Sequence, residues 1–370
     1  MTRPQIDTWR LRPRIPGMVS ADLDYDAAQA LPRNATAQLG GIIAILDSAS
    51  QYADSQTVDI PRATIPSPAS STGMAPAAPY SRFWRFHWGF AYLLALMRPA
   101  VSLTILRVAG GIKCWLLQRR AGKTFVPLFD RFCRAAGIKT TGQQLSTECI
   151  RTQPFLSHGP LLVLHGSARH LDQLLEIEGW DNLTASLENG SGVLLVSFHF
   201  GAQGLLTACL ARNGHNPSVL RAESYKPLGG RIGSEIYLYG ACPIFVGDYD
   251  SSAYGALRAI RRVWENGGIV TATVDGGSGK SCESVEVLGY PFQVRTSLPV
   301  LAKRMGAAIH LVQAVFSDGK YRAFISPELN LGDTPASQFA GELAVFMERM
   351  LRTYPDNLTP HLLGYLFKGV

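Results

Sequence analysis

Proton chemistry is offered first by His199, in the run Ser197-Phe198-His199-Phe200-Gly201. Residues 192–200 read GVLLVSFHF, a continuous apolar stretch of the kind that makes a strand buried on both faces. The histidine falls at the carboxyl end of that strand, just before a glycine and a helix, where open α/β sheets gather their ligands. An imidazole with an ordinary pKa near ~6.5 can take a proton from a hydroxyl or an amine at neutral pH. Two other patterns invite chemistry and fail on spacing. GGSGKS (276–281) suggests a phosphate loop, but that motif needs glycine at position 274, which is Val274, and strand-like residues follow it. Ser197 precedes His199 by two residues on an extended strand and lacks the G-x-S-x-G elbow of a serine hydrolase.

The elements that must hold His199 alternate regularly from about residue 157. Strands are expected at 161–166 (LLVLHG), 192–200, 217–223 (PSVLRAE), 242–247 (CPIFVG), 269–277 (IVTATVDGG), 284–293 (SVEVLGYPFQ), 308–317 and 321–329. Helices are expected at 168–190, 201–214, 229–240, 252–268, 295–307 and 336–354. The alternation predicts an α/β fold, a mixed and mostly parallel sheet with helices on both faces, preceded by an amphipathic helical N-terminal region.

With 370 residues, 46% of them hydrophobic, the chain can bury a large core, which excludes coiled-coil, collagenous and wholly disordered classes. Its six cysteines form no C-x-x-C pair and stand at no ligand spacing from a histidine, so a zinc site or disulfide framework is not expected and a cytoplasmic setting is. Residues 1–80 read as a mostly disordered extension, with a short helix from about Ala35 to Asp47, and 81–370 as the folded domain. The longest uncharged apolar run, 86–97, is too short to span a bilayer. The net charge of +7 is concentrated between Ser81 and Thr140, where eleven Lys/Arg meet one acid, Asp130 (+10), leaving −3 for the rest. Within 81–120, Trp84, Trp88 and Trp115 are interleaved with arginines. That pattern fits a helical pair lying on an anionic membrane surface, or covering the domain as amphipathic helices. It carries no nucleic-acid motif, so nucleic acid is not the expected partner.

Several blocks in order resemble the lipid A late acyltransferases (lauroyl and myristoyl transferases) of the lysophospholipid acyltransferase superfamily. NGSGVLLVSFHFGAQG (189–204) resembles the block that carries the family's catalytic histidine, and VLRAE (219–223) its strand ending in arginine. Residues 256–276 and 285–312 resemble its later helix–strand elements, and 162–176 the helix leading into the histidine strand. The likeness covers about 81–355. It implies acyl transfer from a thioester, on acyl carrier protein or coenzyme A, to a hydroxyl or amine acceptor, with His199 as general base and no further cofactor.

The family pattern has an acid five residues after its histidine; here Gly204 stands at that position. Gln203 as a neutral partner, Glu223 or Asp275 from a neighbouring strand end, or no partner at all are the alternatives. The last would leave a catalytically degenerate scaffold that binds an acyl chain or a carrier protein. Asp275 also matches a family aspartate, or else caps the turn after its strand. Arg221 matches the family arginine and suits a phosphate on the carrier arm or the acceptor. Arg295, at a helix start, is a weaker substrate-binding candidate. The acceptor is not assumed to be lipid A; an envelope-lipid or natural-product intermediate is equally open.

Overall fold

The computed structural model describes residues 82–121, 126–222, 225–226, 230–231, 239–246, 250–275 and 281–367. The expected extension at 1–80, with its short helix, lies outside them, as do Glu223 and most of GGSGKS.

Helices α1 (Arg82–Leu96), α2 (Pro99–Ala121), α3 (Val126–Ala136) and α4 (Gly142–His165) lead into the sheet. Alternation follows through α5 (Ala168–Leu174), β1 (Leu175–Glu178), α6 (Trp180–Glu188), β2 (Val193–Ser197), α7 (Leu205–Arg212) and β3 (Ser218–Ala222). After the short pair β4 (Tyr225–Lys226) and β5 (Gly230–Arg231) come β6 (Cys242–Val246), α8 (Asp250–Glu265) and β7 (Ile269–Thr273). A hairpin of β8 (Cys282–Val287) and β9 (Tyr290–Arg295), then α9 (Ser297–Arg304), β10 (Ala308–Ser317), β11 (Lys320–Ile325) and α10 (Pro335–Thr353) complete the domain. A 3-10 turn (Pro355–Asn357) and α11 (Pro360–Leu366) follow.

The main sheet has seven strands in the order β1-β11-β10-β2-β7-β3-β6, parallel except where β11 runs against β10. This is the mixed, mostly parallel α/β sheet that the alternation predicts. β2 is central, and its side chains divide between two cores. Leu194 and Val196, with Phe198 and Phe200 beyond the strand, join Phe132 of α3, Trp264 of α8 and Phe339 of α10. Val193 and Leu195 join Phe155 and Leu162 of α4 and Leu205 of α7. Burial on both faces is why the strand is apolar from Val193 through Val196.

Several expected elements are different in the structure. LLVLHG is the last part of α4 and not a strand: a Thr141 capping box starts that helix, and its apolar end is buried beneath the sheet. A short apolar run has no period that separates the two states. The single helix expected over 168–190 is broken by β1, whose Leu-Glu-Ile-Glu alternation pairs with β11. SVEVLGYPFQ is a hairpin, turning at Leu288 (φ 55°) and Gly289 (φ 80°), as a two-residue turn with positive φ at both positions requires. Within the helix expected at 229–240, Gly230–Arg231 is a strand paired with β4.

The helical pair α1–α2 forms as expected, but α2 is not simply amphipathic. Its inner side crosses α4 so closely that a Cβ on Gly110 would lie 2.4 Å from the Arg151 carbonyl oxygen. Its outer side is apolar as well, with Val108, Ile112, Trp115 and Leu116 exposed. Pro99–Leu116 is long and apolar enough to cross a membrane by length and composition, with a mean hydropathy of 1.2. A search for uncharged runs passes over it because Arg107 and Lys113 interrupt it.

His310 on β10 is fully buried between two fixed partners. Its Nδ1 donates to the Ser326 carbonyl at 2.8 Å, and Ser186 Oγ meets Nε2 at 2.9 Å, so the neutral ring satisfies both. Burial pushes its pKa below the ordinary histidine value. Below pH ~6.5 the unfolded chain therefore binds a proton that the folded chain refuses, and stability is lost as pH falls from there to the folded value. Urea denaturation at stepped pH should show this loss, and His310→Gln should shallow the slope between about pH 6.5 and 5.

Candidate active site

Two adjacent parallel strands bring the site together. β2 and β7 pair in register, Val193 against Ile269 through Ser197 against Thr273, so the residues two further on, His199 and Asp275, emerge side by side. Asp275 Oδ1 accepts from His199 Nδ1 at 2.9 Å, and Oδ2 accepts from the His199 backbone N–H at 3.0 Å. The carboxylate side chain is fully buried and the imidazole 25% exposed. Because a carboxylate only accepts, Nδ1 carries the hydrogen and Nε2 keeps its lone pair. The buried acid thus fixes both the ring's tautomer and the backbone that carries it. Asp275 is pinned in turn by a bridge to Val294, while the Arg295 N–H donates to the Val274 carbonyl at 2.9 Å.

After His199 the chain must turn at once. Gly201 has φ +60°, and a Cβ there would lie 2.0 Å from the Ala314 carbonyl oxygen, so only glycine fits. Its N–H donates to the Asn357 carbonyl at 3.0 Å, and the Ala202 N–H to the Ala314 carbonyl at 2.8 Å. Asn357, itself fully buried, exchanges hydrogen bonds with both the N–H and the carbonyl of Phe316. Thr359 Oγ1 donates to the His199 carbonyl at 2.6 Å while accepting from Leu362 N–H as the N-cap of α11. His361, in the first turn of that helix, stands 4.4 Å from the His199 ring between centroids, at 64°. None of Asn357, Thr359 and His361 was singled out by sequence reasoning. The available signal was Thr359-Pro360, an N-cap followed by proline at the first helical position.

Beside the dyad lies a pocket with an empty volume of about 640 Å³, part of it open to solvent. Ser197, Thr273 and Arg221 stand at one level across its sheet floor, Gln203 comes from the turn before α7, and Thr207 from its first turn. His199 is not among its lining residues; Ser197, Ala202 and Gln203, on either side of it in the chain, are. Among the described residues, two buried donor atoms here have no hydrogen-bond partner, Arg221 Nε and Gln203 Nε2. A buried donor left unpaired costs about 1–3 kcal/mol, so an acceptor placed at these two atoms would be held favourably.

Of the candidate partners for the imidazole, Asp275 is at hydrogen-bond distance, Gln203 faces the pocket, and Glu223 lies outside the described residues. Arg221 lines the pocket and Arg295 does not. No three His, Cys, Asp or Glu side chains among the described residues lie close enough to hold a metal ion. Compared with family models and with curated proteins, the chain matches none.

Gly204 has a structural reason. It caps α7 at φ +81°, and a Cβ would sit 3.0 Å from the Tyr239 ring. A side chain there is strained whatever its charge. Gly204→Asp and Gly204→Ala should each lose about 1–2 kcal/mol in chemical denaturation, the aspartate gaining nothing from its carboxylate. Unchanged stability in both would contradict the left-handed cap.

Proposed function

We propose that this chain is an acyltransferase in which His199, held by Asp275, is the general base. Nε2 takes the proton from an acceptor hydroxyl or amine as the acceptor's oxygen or nitrogen bonds to the thioester carbonyl. The carbon–sulfur bond then breaks, and the imidazolium returns the proton to the leaving thiolate. Asp275 stabilises that imidazolium and keeps the ring in the tautomer the reaction needs. Arg221 and Gln203, with two unpaired buried donors, would hold an anionic group such as the phosphate of the carrier arm, shared by acyl carrier protein and coenzyme A. The observation that carries the reading is the 2.9 Å contact from Nδ1 to a fully buried carboxylate on a partly exposed imidazole at a sheet's ligand edge. That carboxylate also weakens the scaffold alternative, which rests on the missing acid at Gly204.

The outer faces of α1 and α2 support a peripheral membrane partner. Leu93, Leu96, Val108, Ile112, Trp115 and Leu116 are exposed there, and no acid occurs from Ser81 to Phe129. Apolar side chains among cations alone suit an anionic lipid surface.

Incubated with acyl carrier protein or coenzyme A thioesters and a panel of hydroxyl and amine acceptors, the protein should transfer the acyl group. His199→Ala should abolish this, and Asp275→Asn should lower kcat by on the order of 10²–10⁴ with the fold retained. Full transfer by His199→Ala would sink the assignment. Flotation with anionic vesicles should carry the protein upward at low salt and release part of it as salt rises; a protein that stays at the bottom at low salt has no such surface.

A further inference from the structure

His361 lies outside the dyad and outside the pocket, yet its ring touches the proposed base. Three rings stand in sequence: His199 and His361 at 4.4 Å and 64°, then His361 and Tyr365 at 4.5 Å and 76°. The helix that carries His361 is tied to the His199 backbone through Thr359, so the contact is held by a hydrogen bond at the histidine itself. Among the described residues, the groups bearing on the His361 ring are His199 and Asp275 from the strand ends and Tyr365 from its own helix.

Two imidazoles this close do not both accept a proton readily. Asp275 lies against His199 and not against His361 as a hydrogen-bond partner. The proton that the reaction collects is therefore held on His199. Partial desolvation pushes His361 below the ordinary histidine value, His199 pushes it further the same way, and Asp275 opposes them without reversing the shift. A neutral aromatic ring beside a forming imidazolium is attracted to it, as aromatic rings are to cations generally.

We propose that His361 is a positioning residue for His199, a neutral aromatic wall against which the imidazolium is stabilised while the acceptor's proton is in transit. This rests on the acyl-transfer reading for its kinetic consequence but not for the ring contact. A relay would need an exchangeable proton at position 361, whereas a wall needs only an uncharged ring.

Three substitutions separate these roles at an exposed position that should tolerate them. As a wall, His361→Phe keeps kcat within about threefold, and His361→Ala loses about five- to thirtyfold. His361→Arg, whose fixed charge opposes the imidazolium, loses about tenfold or more near neutral pH. Equal activity in all three, or a phenylalanine variant as poor as alanine, overturns the proposal. A readout independent of turnover is the NMR titration of the His361 ring in the whole protein. Its midpoint should rise toward ~6.5 in His199→Phe, and an unmoved midpoint also overturns the proposal. If that midpoint moves and no thioester–acceptor pair reacts, the acyl-transfer reading fails while the ring contact stands. If transfer occurs and the 361 variants are alike, the acyl-transfer reading stands and the positioning role fails.

Discussion

The in-register pairing of β2 with β7 is the constraint on which this site depends. Parallel neighbours bring residues at equal depth to the same edge, so a strand ending in histidine and a strand ending in aspartate form a dyad without a loop between them. The carboxylate is buried, and burying a charge is tolerated only when hydrogen bonds hold it. Asp275 has both its oxygens used by His199, one by the ring and one by the backbone N–H. The same two bonds that make the acid tolerable inside the protein fix the imidazole's orientation and tautomer.

This also explains why the sequence around His199 left the acid open, with Asp275 as one alternative among several. His199 and Asp275 are 76 residues apart. Adjacency along the chain points to position 204, where backbone geometry admits only glycine without strain. The strand itself was legible because both faces of β2 are buried, and so was the alternation that predicts a mostly parallel sheet. What eluded the pattern were elements whose state depends on partners far away. LLVLHG has the composition of a strand and is helical because α4 is already running when it is reached. Leu175–Glu178 has strand alternation, yet only pairing with β11 separates it from the helices on either side.

The pocket and the dyad lie at successive levels of the same sheet. The sheet floor supplies Ser197, Thr273 and Arg221 at one level, and His199 and Asp275 follow one step further along the same strands. A ligand anchored at Arg221 would thus be presented to the edge where the imidazole stands. The α1–α2 pair lies against α4, itself packed on α7, so one set of helices joins the outward apolar face to the roof of the pocket.

The closure of the site by Asn357 and Thr359 bears on how the protein is made. A ribosome delivers β2 and His199 long before it delivers the segment that clamps the turn after them, since synthesis runs from the N-terminus. Until residues 355–366 emerge, the Gly201 amide has no carbonyl to meet and the histidine no hydroxyl at its own. A chain made only as far as β2 therefore carries its imidazole on an unbraced corner, and the brace comes from a segment about 160 residues further on.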